Sequence, residues 1–515
     1  MASIKLNVQQ QDVVNTIDGP VLVIAGPGSG KTTTLVERIY KIIEARQIAP
    51  ESLLVATFTE KAAAELITRI SNRLLQAGTK FNVNEMYIGT IHSICLRFVE
   101  EYREFTRLKR SFTLMDQFDQ QYFIYQNMVE FDKLQDIFLL AGLPNEKSRW
   151  RRSEKLLQWI NKVSEEALDL PTLLSAPEPE VKVLAHAYQL YEHLLTEANA
   201  LDFSTIQLEA LRLLEEQPNV LGELQEKIQY LMIDEYQDTN TIQEMIMLKL
   251  AGDTANICVV GDDDQGLYRF RGATIRNILE FPQQFTPGRC QQKTLTINYR
   301  SHPKIVDFYN DWMDDLDWTH NGQSFRFSKT IKPQPGKYPK TPTVLKASGV
   351  DAPLSWYKEI LDFLNALKKS TTLSDWNQIA FLFRSVRGDG DNGAVNLANY
   401  LEQNGVPVYS PRANLFFQRE EIQLVIGALL FIFPWYIKNR QWDTKIHLDI
   451  WDYFDDCYRQ FAGLLRVPAN KSLLTWCQKK ALAHNNLNKN TDYGFSGLFY
   501  QLFQFNLFSC YVDAQ

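Results

Sequence analysis

Residues 25–32 read Ala-Gly-Pro-Gly-Ser-Gly-Lys-Thr, directly after the apolar run 21–25 and directly before a helical pattern over 33–43. A chain that passes from a buried strand into a helix through closely spaced glycines has few folds open to it. The glycines let successive backbone N–H groups turn inward, and the helix that follows adds the positive end of its dipole, so the segment is built to cradle phosphate. Lys31 is placed to neutralise charge on the outer phosphates and Thr32 to ligate Mg²⁺. The spacing is that of a P-loop, with Ala25 where a glycine usually stands.

Three further apolar runs end in polar loops: LLVATFT (53–59), YLMIDEY (230–236) and ICVVGDDD (257–264). Short continuous apolar runs of this kind are expected for parallel strands buried on both faces, with the chemistry at their carboxyl ends. An α/β fold follows, with the P-loop on a sheet of parallel strands. A P-loop also needs an acidic partner for the metal at the end of a neighbouring strand. Asp234 supplies it, and Glu235 is placed to activate the attacking water. An isolated Asp-Glu pair is usually a solvated helix start; the apolar strand before this one argues for the functional reading.

Strand signals fade between residues 107 and 200, where the pattern is helical with breakers at Gly142-Leu-Pro144 and at 176–179. The expected organisation is a first α/β domain (1–106 and 201–287) with a helical domain (107–200) inserted into it. A partial second α/β domain (288–426), containing a strand at QIAFLFRS (378–385), leads into the start of a second helical region (427–515). The most apolar run, 424–437, is shorter than the roughly 18–20 residues that span a bilayer and contains Pro434, so it reads as a buried helix.

Composition adds bounds. With 515 residues, 45% hydrophobic and 22% charged, the chain is expected to form several globular domains. A net charge of −7 excludes indiscriminate coating of nucleic acid but leaves room for a local basic groove. The six cysteines lack any Cys-x-x-Cys pair, so neither a zinc site nor a disulfide framework is expected, and a reducing, cytoplasmic setting fits. The N-terminus lacks the apolar core of a signal peptide.

The strings DEYQDTNTIQ (234–243), VVGDDDQGLYRFRGA (259–273) and NYRSHPKIV (298–306) resemble the signature motifs of the UvrD/Rep/PcrA helicases, superfamily-one motors. ATFTEKAAAEL (56–66) and IGTIHSICLRF (88–98) are similar to two further motifs of that family, in the same order, and weaker likeness resumes at LFRS (382–385) and FFQREEI (416–422). The resemblance implies that the two α/β domains are RecA-like motor domains of the P-loop NTPase class, 1–106 with 201–287 the first and 288–426 an incomplete second followed by the start of its helical insertion (427–515), in an ATP-dependent DNA helicase that moves 3′ to 5′ on single-stranded DNA, using Mg²⁺ and ATP in DNA repair or recombination. It implies single-stranded DNA, single/double-strand junctions and other repair or recombination proteins as partners, and no membrane.

Carried over residue by residue, the resemblance implies a nucleotide site of Gln10, Ala25, Gly26, Pro27, Gly28, Ser29, Gly30, Lys31, Thr32, Thr33, Asp234, Tyr299 and Arg300. In it Gln10 reads the adenine edge and Tyr299 stacks on the base. Gln265 senses the γ-phosphate and Arg300 acts as an arginine finger, completing a catalytic set with Lys31 and Glu235. For DNA it implies Thr57, Phe58, Thr90, His92, Tyr268, Phe270 and Arg271, the aromatics serving as base-stacking platforms. Taken singly, each aromatic is more often a core residue, and His92 is as readily a buried structural histidine.

Three residues depart from the family pattern. Thr33 stands where several members place an arginine beside the adenine, Glu60 replaces the asparagine of TFTN, and Arg269 replaces a glycine. The family's late motifs have no counterpart before Gln515, so the chain is expected to be the N-terminal part of a longer motor or half of a split one. Two alternatives stay open: a nucleotide-switched DNA-binding or assembly subunit that does not translocate, and the motor part of a helicase-nuclease.

Overall fold

The computed structural model describes residues 5–143, 149–267, 273–336, 338, 344, 355–370, 372–383, 393–409, 419–434, 448–484 and 495–508. Two compact units divide the chain, Met1–Leu345 and Lys346–Gln515.

The first unit is organised by a sheet of six strands: β1 (Val21–Ala25), β2 (Leu53–Thr57), β3 (Tyr87–Thr90), and, after the two short strands β4 (Thr113–Met115) and β5 (Ala200–Asp202), β6 (Tyr230–Ile233), β7 (Ile257–Gly261) and β8 (Gln291–Leu295). Their order across the sheet is β3-β2-β6-β7-β1-β8, and every pairing is parallel. The α/β class expected from the apolar runs is what the backbone forms. Alternation along each strand sends side chains to two cores. Leu22, Ile24, Leu54 and Ala56 face one, with Ile94, Phe98, Ile206 and Ile246. Val21, Val23, Leu53 and Val55 face the other, with Leu35, Ile39, Leu66 and Ile70. Both faces are covered, as an all-parallel sheet requires.

The first sheet takes in more chain than the sequence suggested. β8 runs beside β1 in register Val21↔Gln291 to Ala25↔Leu295, which carries the sheet past residue 287, where the sequence reading starts the second motor domain. The backbone hydrogen bonds of an edge strand need no apolar run, and the sequence of β8, QQKTL, has none. Strands also reach into the region read as purely helical, because β4 pairs with β5 in a separate two-stranded ribbon. Residues 115–200 otherwise bury their own core around Ile124, Phe131, Leu156, Ile160, Tyr188 and Tyr191.

In the second unit the described residues are helical. The helix Glu420–Ile432 buries Leu424, Val425, Ala428 and Ile432 against Phe461 and Leu465, as the apolar run at 424–437 led one to expect; residues 435–437 lie outside the described residues. Gly427 makes this approach possible, since a Cβ there would lie 2.4 Å from the Cys457 carbonyl oxygen. The strand expected at 378–385 is not formed over 379–383, and 384–385 lie outside the described residues. No helix among the described residues is long and apolar enough to cross a membrane, and the five described cysteines are free thiols.

Candidate functional site

Every residue singled out for chemistry on β1, β2, β3, β6 and β7 lies at or just past a carboxyl end, so one edge of the sheet carries them all. Strand order sets the spacing: β7 separates β1 from β6, placing the P-loop and Asp234 about 10 Å apart at the backbone. That gap suits one lysine side chain and one metal ion.

β1 ends in the glycine cradle, and helix α2 (Lys31–Arg46) begins at its last glycine. Gly28 and Gly30 both hold left-handed backbone, at φ +66° and +83°. Gly28 is pressed by the segment 298–300, for a Cβ there would stand 2.8 Å from Asn298 Oδ1 and 2.9 Å from Arg300 Cβ. Gly28→Ala is therefore expected to lower stability by about 1–3 kcal/mol in denaturant unfolding; an unchanged midpoint would mean that the cradle is not held this way. The Ser29 hydroxyl is buried with no partner among the described residues. Such an orphan fits a loop that closes around a polar ligand.

Lys31 reaches across β7 and donates to Glu235 Oε2 at 3.0 Å. Asp234 is buried beside it. Burial and the neighbouring Glu235 push its carboxyl up to about 6, against the pull of Lys31. Asp238 behaves likewise: burial first, then Glu235, raise it to about 7 while Lys31 lowers it, and its Oδ1 has no partner among the described residues. Three carboxylates thus share one ammonium, an excess of negative charge that a divalent cation fits. Glu235 holds φ +52°, uncommon outside glycine and a strain of about 1–3 kcal/mol that functional sites tend to retain.

Two members of this site were missed in the sequence. Gln237 Nε2 donates to Glu235 Oε2 at 2.8 Å, and its Oε1 accepts from the Asp262 N–H at 3.0 Å. It thereby ties the end of β6 to the end of β7. Gly261 leaves room for this, as a Cβ there would sit 2.6 Å from Gln237 Oε1. Gln265 then donates to Asp262 Oδ2 at 2.6 Å. The string DEYQD carries both missed residues, Gln237 and Asp238, so the motif was visible while the roles of its fourth and fifth positions were not.

Gln10 is buried at the other side of the cradle. Its Oε1 accepts from the Asn7 N–H at 3.0 Å, forming the capping box of helix α1 (Val8–Asn15), and its Nε2 donates to the Ser29 carbonyl at 3.1 Å. Tyr299 is 42% exposed; its backbone N–H donates to the Gly28 carbonyl at 2.8 Å and its hydroxyl accepts from Asn7 Nδ2 at 2.6 Å. Arg300 is exposed, makes no ion pair among the described residues, and lies in the same compact unit as the P-loop. Ala25 and Gly26 are buried, whereas Pro27, Thr32 and Thr33 are half-buried.

The residues expected to meet DNA begin at β2 and β3, away from the cradle. Thr57 is buried, its hydroxyl without a partner among the described residues, and Phe58 follows half-buried. Thr90 caps the helix Ile91–Glu101, its Oγ1 accepting from the Ser93 N–H at 3.2 Å while donating to Glu60 Oε1 at 2.8 Å. Burial lowers His92 to about 4, outweighing the pull of Glu60, so its ring is neutral at ordinary pH. The ring contacts the Gln207 side chain and meets Phe203 edge-on at 6.0 Å. Tyr268, Phe270 and Arg271, with Arg269, lie outside the described residues.

Comparison with known proteins matches the sequence to a family. The UvrD/REP helicase N-terminal domain matches residues 6–286. The chain is 32% identical over 334 residues to the ATP-dependent DNA helicase PcrA of Bacillus subtilis (strain 168), covering 63% of this chain and 42% of that protein. It is 31% identical over 312 residues to the Staphylococcus epidermidis protein of the same name and 32% over 310 residues to that of Staphylococcus aureus, each covering 59% of this chain and 39% of the relative. The match therefore spans about two fifths of the length of these curated relatives. With Lys31, the buried Asp234, the half-buried Glu235 and Gln265 gathered at the carboxyl ends of the sheet, and more than half its length matched, the chain belongs to the UvrD/REP helicase N-terminal domain family.

Proposed function

We propose that this protein is an ATP-dependent 3′-to-5′ single-stranded DNA translocase and helicase acting in DNA repair or recombination, on single strands and single/double-strand junctions. The observation that carries the reading is Lys31 bonded to Glu235 at 3.0 Å beside buried Asp234, at the mouth of the glycine cradle. The domain arrangement proposed with it is a first motor domain with the helical insertion 107–200, followed by the beginning of a second motor domain and its own insertion.

In this reading the N–H groups of residues 28–31 bind the phosphates and Lys31 leaves Glu235 to neutralise them. Thr32 and Asp234 would hold Mg²⁺, which would supply charge neutralisation for the phosphates. Glu235, freed from Lys31 and oriented by Gln237, takes the proton of the attacking water, and Arg300 stabilises the charge that develops as the phosphoryl group leaves. Gln265 reports the occupied site through Asp262. Gln10 and Tyr299 serve the base, the first releasing the Ser29 carbonyl to do so.

DNA contact is proposed at Thr57, Phe58, Thr90, His92, Tyr268, Phe270 and Arg271. His92 contributes a neutral hydrogen bond rather than charge, since burial keeps it unprotonated. Glu60 opposes binding, as its carboxylate accepts from the Thr90 hydroxyl and repels a phosphate there. Glu60→Asn is expected to tighten single-stranded DNA by about 1 kcal/mol, roughly fivefold. The gain should shrink as salt rises. Fluorescence anisotropy at two salt concentrations reads this, and equal affinities would remove Thr90 from the DNA path. The function as a whole is tested by ATP hydrolysis with and without single-stranded DNA: stimulation is expected, and a DNA-independent rate would contradict it.

A further inference from the structure

Beyond β8 the chain returns to the edge of the phosphate site in a way that no motif announces. Two-residue strands β9 (Ile297–Asn298) and β10 (Lys332–Pro333) pair in parallel. Asn310 clamps Ile331 in both directions, Nδ2 donating to its carbonyl at 2.8 Å and Oδ1 accepting from its N–H at 3.1 Å. Ile331 lies over the P-loop, where a Cβ on Gly26 would strike its Cδ1.

Two residues earlier, Lys329 is buried at the end of β7. Its ammonium meets Asp262 Oδ1 at 3.1 Å and Asp264 Oδ2 at 3.0 Å, and also contacts Asp263; all four side chains are at most 1% exposed. Arg326 Nε adds a 2.8 Å bond to Asp264, the Tyr309 hydroxyl donates to the same carboxylate, and the Phe327 N–H donates to Asp263 Oδ2 at 2.8 Å. The place a cation would take among these three carboxylates is filled by Lys329. Burial works against its charge, and Asp262, Asp263 and Asp264 outweigh it.

Asp262 is where this network meets the chemistry. One carboxylate oxygen takes Lys329 and the other takes Gln265, while the Asp262 N–H is bonded to Gln237, which holds Glu235. Without Lys329 the Asp262 carboxylate keeps only the Asp264 N–H at 3.3 Å and Gln265, and a buried charge so poorly compensated turns toward solvent, which releases Gln265. We propose that Lys329 is a positioning residue: by fixing the Asp262 carboxylate it sets the sensor Gln265, so that docking of segment 326–331 against the sheet edge orders the nucleotide site. This rests on the ATPase reading above and adds to it the residue that couples the segment after NYRS to the sensor.

The test uses Lys329→Met, which leaves three buried carboxylates against Arg326, and the charge-balanced pair Lys329→Met with Asp263→Asn, which keeps the Phe327 contact and guards against simple unfolding. With the paired variant, DNA-stimulated kcat is expected to fall at least tenfold while KM for ATP stays within threefold. Adding Gln265→Ala to it should lower kcat no further than Gln265→Ala alone, because both act through one contact. Amide hydrogen exchange over residues 262–267 should speed up at least fivefold. Independent, multiplying losses or unchanged exchange would overturn the proposal. If the unmodified protein fails to hydrolyse ATP, the ATPase reading falls, and the exchange experiment still decides whether Lys329 holds Asp262 and Gln265.

Discussion

Lys31→Ala is expected to abolish turnover, with kcat/KM for ATP falling on the order of a thousandfold or more. Lys31 is the only cation bonded to Glu235 among the described residues, and it also lowers both Asp234 and Asp238. Its loss therefore acts twice. The phosphates lose their neutralising charge in a poorly hydrated site, and the two buried carboxyls, already raised to about 6 and about 7, are pushed further up and compete less well for Mg²⁺. Far-UV circular dichroism alongside the hydrolysis assay separates this from misfolding. A variant that keeps its fold and a tenth of its rate would show that the phosphates bind elsewhere.

Arg300→Ala is the second large effect. Arg300 is exposed and without an ion pair among the described residues, while the segment that carries it lies on the P-loop, with Asn298 Oδ1 accepting the Arg300 N–H at 2.8 Å. A solvated arginine with no structural partner contributes within about 0.5 kcal/mol to stability. An arginine finger, by contrast, contributes roughly a thousandfold or more in kcat. The expected result is a near-unchanged melting temperature, a KM for ATP within a fewfold of the unmodified protein and a kcat reduced by that factor. Lysine at this position should restore little, because it lacks the planar fork. A kcat within threefold of normal would remove Arg300 from the reaction.

The inner strands were legible because burial on both faces imposes continuous apolar runs, and β1, β2, β6 and β7 all show them. The edge strands were not. β8 has its apolar residue only at Leu295, and β3 contains Gly89, since an edge strand has fewer faces to bury. β4 and β5 span three residues each, too few to establish a period. At the site, Lys31, Asp234 and Glu235 could be named because phosphate chemistry fixes their types and spacing. Lys329 could not, for its partners lie up to 67 residues away (329 minus 262) and nothing in Ser-Lys-Thr foretells a buried ammonium. Gln10 shows the reverse: its motif position was visible, but its capping of α1 and its bond to Ser29 depend on tertiary placement.

The most direct measurement is the structure of the protein with Mg²⁺ and a non-hydrolysable ATP analogue. The expected result is a Lys31–Glu235 separation well beyond the present 3.0 Å, with the Lys31 ammonium on the outer phosphates, the phosphates ringed by the N–H groups of residues 28–31, and Mg²⁺ beside Thr32 and Asp234. A bound analogue that leaves Lys31 on Glu235 and the glycine cradle empty would contradict the account.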